Sequence, residues 1–137
     1  MTKTPKWAQK LLLDAMEYWE TKYGEVSTLE VNWRRGTRAF WNPLRGETTR
    51  VRQEKSSGRW NRSGRITVTA GTDRTDAKLV LLHEFAHSLA PETDSHSDAF
   101  WDIAWELYRW AKLPIRYCKE REGSYRKGAL AAYRRTS

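Results

Sequence analysis

The chain has 137 residues and one cysteine, and its formal net charge is +8 at pH 7. This length favours a single domain, residues 1–137, with one hydrophobic core, and a lone cysteine excludes an internal disulfide. The longest apolar runs are too short to cross a bilayer and the basic N-terminus lacks the apolar segment of a secretory signal, so we expect a cytoplasmic protein with no membrane partner.

The charge is distributed unevenly along the sequence. Residues 28–65 carry ten Lys or Arg against three acids, and residues 107–137 carry nine against two. Residues 66–106 reverse this balance, with two against eight. An acidic central stretch suits a cation site, whereas the basic flanks suit either a polyanion or solvation alone.

The N-terminal segment predicts an amphipathic helix. Thr4 is placed as an N-cap with Pro5 at the first helical position, and Gly24 supplies a stop. Apolar residues recur every four positions between them, which is the spacing of one helix face. We therefore expect a helix over residues 5–23.

The next segment predicts a small, mostly antiparallel sheet. Apolar and polar residues alternate over 28–34 and again over 65–70, as in half-buried strands. The stretch from Asn42 to Ser63 is consistent with one or two further strands or with a long, mobile, arginine-rich loop. Ile66–Ala70 could be either an edge strand to which an extended peptide adds or an ordinary strand of the sheet, and the sequence favours neither.

Two longer helices are predicted next. Thr75 or Asp76 can cap the first, which is apolar on nearly all sides and should be the buried central helix. Pro91 should end it, because the residue before a proline avoids helical angles. Ser95, followed three positions later by Asp98, resembles a capping box for the second helix.

That second helix should end at Pro114. The residues from Arg116 onward form a basic tail, in which we expect one short helix around 125–134.

The residues that can bind a metal ion and exchange a proton are concentrated in one short region. The three histidines of the chain fall within fourteen residues, and residues 83–87 read His-Glu-Phe-Ala-His. On a helix, His83 and His87 lie one turn apart on one face with Glu84 beside them. This is the arrangement in which two histidines bind one Zn²⁺ ion. Glu84 is then placed to take a proton from the water that the metal activates.

A catalytic zinc ion usually has three protein ligands. His96 is our leading candidate for the third, since a helix–loop–helix turn can bring it back towards the first two. Asp102 and Glu106, one turn apart on the following helix, are alternatives, and Asp94 and Asp98 are weaker ones.

The run from His83 to Trp101, with His96-Ser97-Asp98-Ala99-Phe100 inside it, resembles the SprT-like (Spartan-type) zinc metalloproteases. It is also similar to small metallohydrolases of phages and actinobacteria, whose pattern is H-E-x-x-H, a short loop, then H-G-x-x-F. The resemblance covers roughly residues 64–108. It implies an α+β, zincin-like domain with an N-terminal helix, a small mostly antiparallel sheet, the H-E-x-x-H helix, a following helix and a basic tail.

Carried over residue by residue, the resemblance makes His83, His87 and His96 the zinc ligands and Glu84 the catalytic base. The chain departs from the family pattern in three ways. Ser97 stands where glycine is usual, the loop between the histidines is shorter, and no cysteine-rich zinc ribbon follows. The missing ribbon means that DNA dependence is not implied by the resemblance.

A peptidase also needs a group that stabilises the oxyanion opposite the base. Tyr108, Arg109, Arg116 and Tyr117 are candidates, and the sequence does not choose among them.

Arginines and tryptophans interleave in the basic segment that precedes the motif. Phosphate contact combined with base stacking needs this mixture, whereas the alternative is that the tryptophans are core and the arginines solvated. The candidate nucleic-acid-binding residues are Arg34, Arg35, Arg38, Arg59, Arg62 and Arg65, interleaved with Trp33, Trp41 and Trp60.

The sequence therefore predicts a zinc-dependent metallopeptidase that acts on protein or peptide substrates, with DNA-associated proteins as one substrate class. Two alternatives remain open. One is a zinc-dependent hydrolase that processes nucleic acid, and the other is a non-catalytic nucleic-acid-binding module with a structural metal. The sequence does not indicate the oligomeric state.

Overall fold

The computed structural model describes residues 3–90, 96–123 and 127–137. They form an α+β structure of five helices with small, mostly antiparallel sheets, as the sequence predicted in outline. The helices are α1 (Lys6–Tyr23), α2 (Arg74–Leu89), α3 (Asp98–Trp110), α4 (Ile115–Gly123) and α5 (Lys127–Thr136). The strands are β1 (Glu30–Arg35), β2 (Thr37–Asn42), β3 (Glu47–Arg52), β4 (Ser57–Asn61) and β5 (Arg65–Ala70). Within the described ranges, no helix combines the length and the apolar character needed to cross a membrane.

The first helix is found where it was predicted, but its start differs in detail. Pro5 occupies the N-cap position with an extended backbone, so the helix begins one residue later, and no side chain caps it. Thr4 is therefore not the cap. α1 packs against α2, and at its start the ring of Trp7 packs edge-on against that of Trp33 on β1, with centroids 5.6 Å apart.

Three strands form the main sheet, in the order β1-β5-β4. β5 runs parallel to β1 and antiparallel to β4. On β5, Ile66, Val68 and Ala70 are buried beneath α2, which packs across β4 and β5. The two predicted strands are thus confirmed, and of the two positions that the sequence left open for Ile66–Ala70, the structure shows the inner one. β5 is central, and β4 is the outer strand next to the motif helix.

β2 and β3 form a separate antiparallel ribbon. It overlaps the first part of the stretch from Asn42 to Ser63, for which the sequence left strands and a long loop open. Thr37 pairs with Arg52 at its open end and Asn42 with Glu47 at its closed end. Because β4 follows soon after, the alternative of one long mobile loop over 42–63 is wrong. The ribbon was hard to predict because none of its strand residues is buried, so its sequence has no regular alternation of apolar and polar residues.

The motif helix starts earlier than predicted. Asp73, rather than Thr75 or Asp76, is the N-cap, and its side chain accepts a hydrogen bond from the backbone N–H of Asp76. At the other end, Ala90 has an extended backbone with ψ of 148°, as expected for a residue that precedes a proline.

The carboxylate of Asp76 is fully buried and joins three parts of the chain. It accepts hydrogen bonds from the backbone N–H of Ser56 at 2.6 Å, from Nε of Arg121 at 2.9 Å and from the hydroxyl of Tyr117. Burial alone raises the pKa of Asp76, but these hydrogen bonds and the positive charge of Arg121 bring it below its ordinary value. Asp76 therefore fixes α4 and the start of β4 against the N-terminal turn of α2.

Replacing Asp76 by Asn should destabilise the fold by about 3–5 kcal/mol, because the largely buried guanidinium of Arg121 would lose its carboxylate partner. The lowered pKa means that the contribution of Asp76 is complete above its unfolded-state pKa of about 3.9 and is lost as pH falls through the lower folded value. Urea unfolding of both proteins, at neutral and acid pH, measures this. The difference between wild type and variant should shrink in acid.

The matched control for that experiment is Asp102→Asn, which breaks the half-exposed ion pair of Asp102 with Arg135. Exposed pairs contribute little, so this change should cost less than about 1 kcal/mol. Equal losses in the two variants would contradict the role given to Asp76.

The third helix packs its aromatic face against α2. Ser97 caps it by accepting a hydrogen bond from the backbone N–H of Phe100 at 3.3 Å. The predicted cap, Ser95, lies outside the described residues. Large side chains fill the space between the two helices and form the centre of the core: Phe85, Phe100, Trp101, Trp105 and Tyr108.

The basic tail contains two helices, α4 and α5, where the sequence predicted one short helix around 125–134. Trp105 of α3 donates its indole N–H to the carbonyl oxygen of Ala129 at 2.8 Å, which fixes α5 against α3. Cys118 of α4 is buried. The tail is thus an integral part of the core rather than a charged extension.

Candidate metal and catalytic site

The three histidines converge where α2 meets the start of α3. His83 and His87 project from one face of α2, and their ring centroids are 5.1 Å apart. His96 lies two residues before α3, with its ring centroid 4.9 Å from that of His87. One ligand atom of each histidine lies within 4.8 Å of the other two. The structure thus brings together the three residues that the sequence selected.

Their spacing fits a small, tetrahedrally coordinated cation. At Zn–N distances of 2.0–2.1 Å, two tetrahedral ligand nitrogens lie roughly 3.3 Å apart. The Nε2 atoms of His83 and His96 are 3.1 Å apart. Imidazole also suits copper, iron and nickel, so the donor set fits zinc without being specific to it.

A buried carboxylate orients His83. Oε2 of Glu122 lies 2.7 Å from Nδ1 of His83, and it also accepts a hydrogen bond from the hydroxyl of Tyr108 at 2.8 Å. Burial and the neighbouring charge of Glu122 raise the pKa of Tyr108 well above its ordinary value, so the hydroxyl remains a donor. An ionised carboxylate only accepts, which places the proton of a neutral His83 on Nδ1 and leaves the Nε2 lone pair facing His96.

Such partners fix the ring orientation and tautomer of a metal-binding histidine and raise its basicity. The sequence did not single out Glu122, which is only 1% exposed but stands among the basic residues of the tail. No fixed spacing connects it to the motif.

Glu122→Gln should weaken zinc binding about 10- to 100-fold, the usual effect of losing an outer partner of a metal-binding histidine. Competition against a chromophoric chelator measures the affinity. Glu120→Gln is the matched control, since Glu120 is an exposed residue of the same helix that pairs with Arg116. Equal zinc affinities in wild type and both variants would show that Glu122 does not orient His83.

Glu84 lies beside the histidines in an enclosed position, only 6% exposed. Burial raises its pKa to about 6, with a positive charge on a protonated His83 acting against this rise and the negative charge of Glu122 adding to it. Gly58 of β4 lies against it, since a Cβ at this position would be 2.7 Å from Cγ of Glu84. A carboxyl group with such a pKa is suited to proton exchange near neutral pH.

A cleft of about 300 Å³ opens over these groups, between α2, β4 and α4. Its floor carries the histidines and Glu84, and the outer strand β4 forms one wall. The residues that line it are Ser57, Gly58, Leu79, Val80, His83, Glu84, His87, His96, Trp101, Arg121 and Glu122.

The acidic residues considered as alternatives to His96 for the third metal ligand have other partners or lie elsewhere. Asp102 pairs with Arg135, and Glu106 accepts hydrogen bonds from Tyr18, Lys22 and Tyr23 on α1. Asp98 is exposed at the start of α3, and Asp94 lies outside the described residues. Of the acids and histidines that the structure describes, only the three histidines are close enough together to hold a metal ion.

The four candidates for oxyanion stabilisation do not line the cleft. Arg109 bonds to the end of α5, Arg116 is exposed, Tyr117 bonds to Asp76, and Tyr108 is enclosed behind His83. Arg121, which is not among these four candidates, does reach the cleft.

The proposed nucleic-acid-binding residues are spread over several surfaces. Arg34, Arg59 and Arg65 share the face of the main sheet opposite α2, where Arg34 and Arg59 border a cleft of about 290 Å³. Arg38 lies on β2, at the base of the ribbon. The remaining two lie at the end of β1 and in the turn after β4: Arg35 and Arg62.

The tryptophans expected to accompany them divide into two groups. Trp33 is buried and Trp60 packs against the core, so neither offers an open face for stacking. Trp41, at the far end of β2, is exposed.

Comparisons of the chain with protein-family models, with curated proteins and with solved structures each returned no match.

Proposed function

We propose that this chain is a zinc-dependent metallopeptidase that hydrolyses peptide bonds in proteins. The observation that carries the proposal is the convergence of His83, His87 and His96 on one point beside a buried glutamate, at the floor of an open cleft. Zinc bound there would polarise a carbonyl group and supply a water that ionises near neutral pH. DNA-associated proteins, the class added by the resemblance to SprT-like proteases, are one candidate substrate class.

Glu84 is the proposed general base. Its carboxylate takes a proton from the attacking water and passes it to the leaving amine. A divalent cation nearby would lower the pKa of Glu84 from about 6, which keeps it ionised at neutral pH. Arg121, whose side chain reaches the cleft, contributes positive charge that favours the oxyanion developing on the substrate.

β4 supports a mode of peptide binding. It is an outer strand of the main sheet, and its residues Ser57 and Gly58 line the cleft. An extended peptide can add to such a strand through main-chain hydrogen bonds, which requires little of its side chains. The proposed substrate is therefore an unfolded or extended segment, held along β4 with its scissile bond over the histidines.

Metal removal tests the proposal. The protein as purified should contain about one zinc ion per chain and should cleave a reduced, alkylated test protein. EDTA should abolish cleavage and lower the melting temperature, because a ligand bound only to the native state stabilises it, and added zinc should restore both. A protein that holds no zinc and whose melting temperature ignores EDTA would overturn the metal site and the activity together.

A nucleic-acid-processing hydrolase is the second candidate, favoured by a basic groove that adjoins the cleft. Arg38, Arg52 and Lys55 line this groove, which meets the cleft at Arg121. Incubation with labelled DNA, labelled RNA and unfolded protein separates the candidates. Zinc-dependent cleavage of nucleic acid alone would replace the peptidase, and zinc binding with no turnover of any substrate would favour a structural metal.

A further inference from the structure

The β2–β3 ribbon projects from the domain as an arm with little support of its own. None of the residues of β2 and β3 is buried, and the two strands pair with each other rather than with the main sheet. The arm is anchored at its base, where Gly36 donates to the carbonyl oxygen of Ala70 and Gln53 donates to that of Gly36. An isolated two-stranded hairpin is marginally stable in water, so an arm of this kind gains order from a partner.

The far half of the arm exposes large apolar side chains. Phe40, Trp41 and Leu44 are 47%, 62% and 95% exposed. They are three of the five exposed large hydrophobic residues in the described part of the chain. Successive residues of a strand point to opposite faces, so Phe40 and Trp41 present an aromatic ring on each side of the arm. Clustered apolar exposure of this kind marks an interaction site.

The arm is also strongly basic. Residues 36–53 contain four arginines and one acid. Arg50 donates to the hydroxyl of Thr37, and Arg52 donates to backbone carbonyl oxygens. Within the described residues, Arg38, Arg50 and Arg52 have no carboxylate partner, so their charge is not neutralised.

We propose that the β2–β3 arm binds single-stranded nucleic acid. Exposed aromatic rings stack on unpaired bases, and neighbouring arginines contact phosphates, which is how proteins hold single strands without reading their sequence. Rings on both faces of the arm favour a single strand over a duplex, whose bases are already stacked. This function is separate from peptide hydrolysis and does not depend on the metal site.

The surface next to the arm extends the same charge. Arg38 and Arg52, at its base, border the basic groove together with Lys55, which pairs with Asp73, and Arg121, which pairs with Asp76. A strand whose bases stack on Trp41 thus finds further cationic contacts along the groove, beside the candidate catalytic cleft.

Fluorescence anisotropy with a labelled single-stranded DNA of about 20 nucleotides, a length that spans an arm and its groove, tests the proposal. Trp41→Ala should weaken binding about 5- to 150-fold, the range measured for loss of one stacking contact, and Trp41→Phe should retain most of the affinity. Arg38→Gln should weaken binding and flatten its salt dependence. Leu13→Ala and Arg116→Gln, exposed changes on α1 and α4, are matched controls that should bind as wild type does.

Three outcomes would overturn the proposal. The first is wild-type affinity in Trp41→Ala, the second is tighter binding of a duplex of the same sequence, and the third is binding to anionic lipid vesicles without binding to the oligonucleotide. Because Trp41 is exposed and outside the core, melting temperatures should stay unchanged, which separates lost binding from lost folding. Failure of zinc binding or peptidase activity would not affect this result.

Discussion

Glu84→Gln should abolish peptide hydrolysis while the zinc content stays near one ion per chain. The amide has nearly the same shape as the carboxyl group but cannot accept the proton of the attacking water, and loss of a general base typically costs about 10²- to 10⁴-fold in rate. The side chain is enclosed, so outside water cannot easily substitute for it. Initial cleavage rates and atomic-absorption analysis of the same samples measure both quantities.

The stability of the metal-free protein gives an independent check on this variant. The pKa of Glu84 rises from 4.5 to about 6 on folding, so the protonated form favours the fold and that contribution is lost as pH rises through about 6. The glutamine variant does not ionise, and at neutral pH it should melt at or above the temperature of wild type. Glu120→Gln is the control that should change neither rate nor zinc content.

Retained activity in Glu84→Gln would remove Glu84 from its proposed role. Loss of zinc together with activity would instead make it part of the metal site. The shorter carboxylate of Glu84→Asp should recover part of the rate if proton transfer is the function, since the acid is then displaced rather than absent.

His96→Ala should lower zinc affinity by more than about 100-fold. Loss of an outer partner of a metal ligand costs at most about 100-fold, and this change removes a direct ligand. The Nε2 atom of His96 lies 3.1 Å from that of His83, and no carboxylate among the described residues is placed to replace it. Isothermal titration with zinc compares the variant with wild type. Activity should fall in parallel.

Asp102→Ala and Glu106→Gln are the informative companions to that experiment, because the sequence left both residues open as ligands. Asp102 pairs with Arg135, and Glu106 is held by α1, so both variants should bind zinc as wild type does. A large loss of affinity in either one, with His96→Ala unaffected, would reassign the third ligand.

The sequence predicted the parts of the candidate site that depend on short-range geometry. Residues four apart on a helix share a face, so the pairing of His83 with His87 follows from their spacing. Bringing His96 to the other two histidines required only a turn between two helices. Glu122 and Arg121 were missed because they arrive on α4, and nothing in a single sequence indicates which distant acid will lie behind a given histidine.

The same distinction between short-range geometry and contacts of distant segments applies to the fold. Alternation of apolar and polar residues identified β1 and β5, whereas their order in the sheet depends on pairing between distant segments. For that reason the sequence did not decide between an edge and an inner position for Ile66–Ala70. The ribbon was missed because its strands bury no face, which removes the periodic signal that sequence analysis depends on.

Two adjacent residues of α4 contact the motif helix at two different turns. Arg121 is bonded to Asp76 in its first turn, and Glu122 to His83 about two turns further on. Glu122 is synthesised thirty-nine residues after His83. A nascent chain in which only the motif helix has emerged from the ribosome therefore lacks the carboxylate that orients His83. Under the proposed function, hydrolytic activity should therefore appear late in translation, once α4 has docked against the motif helix.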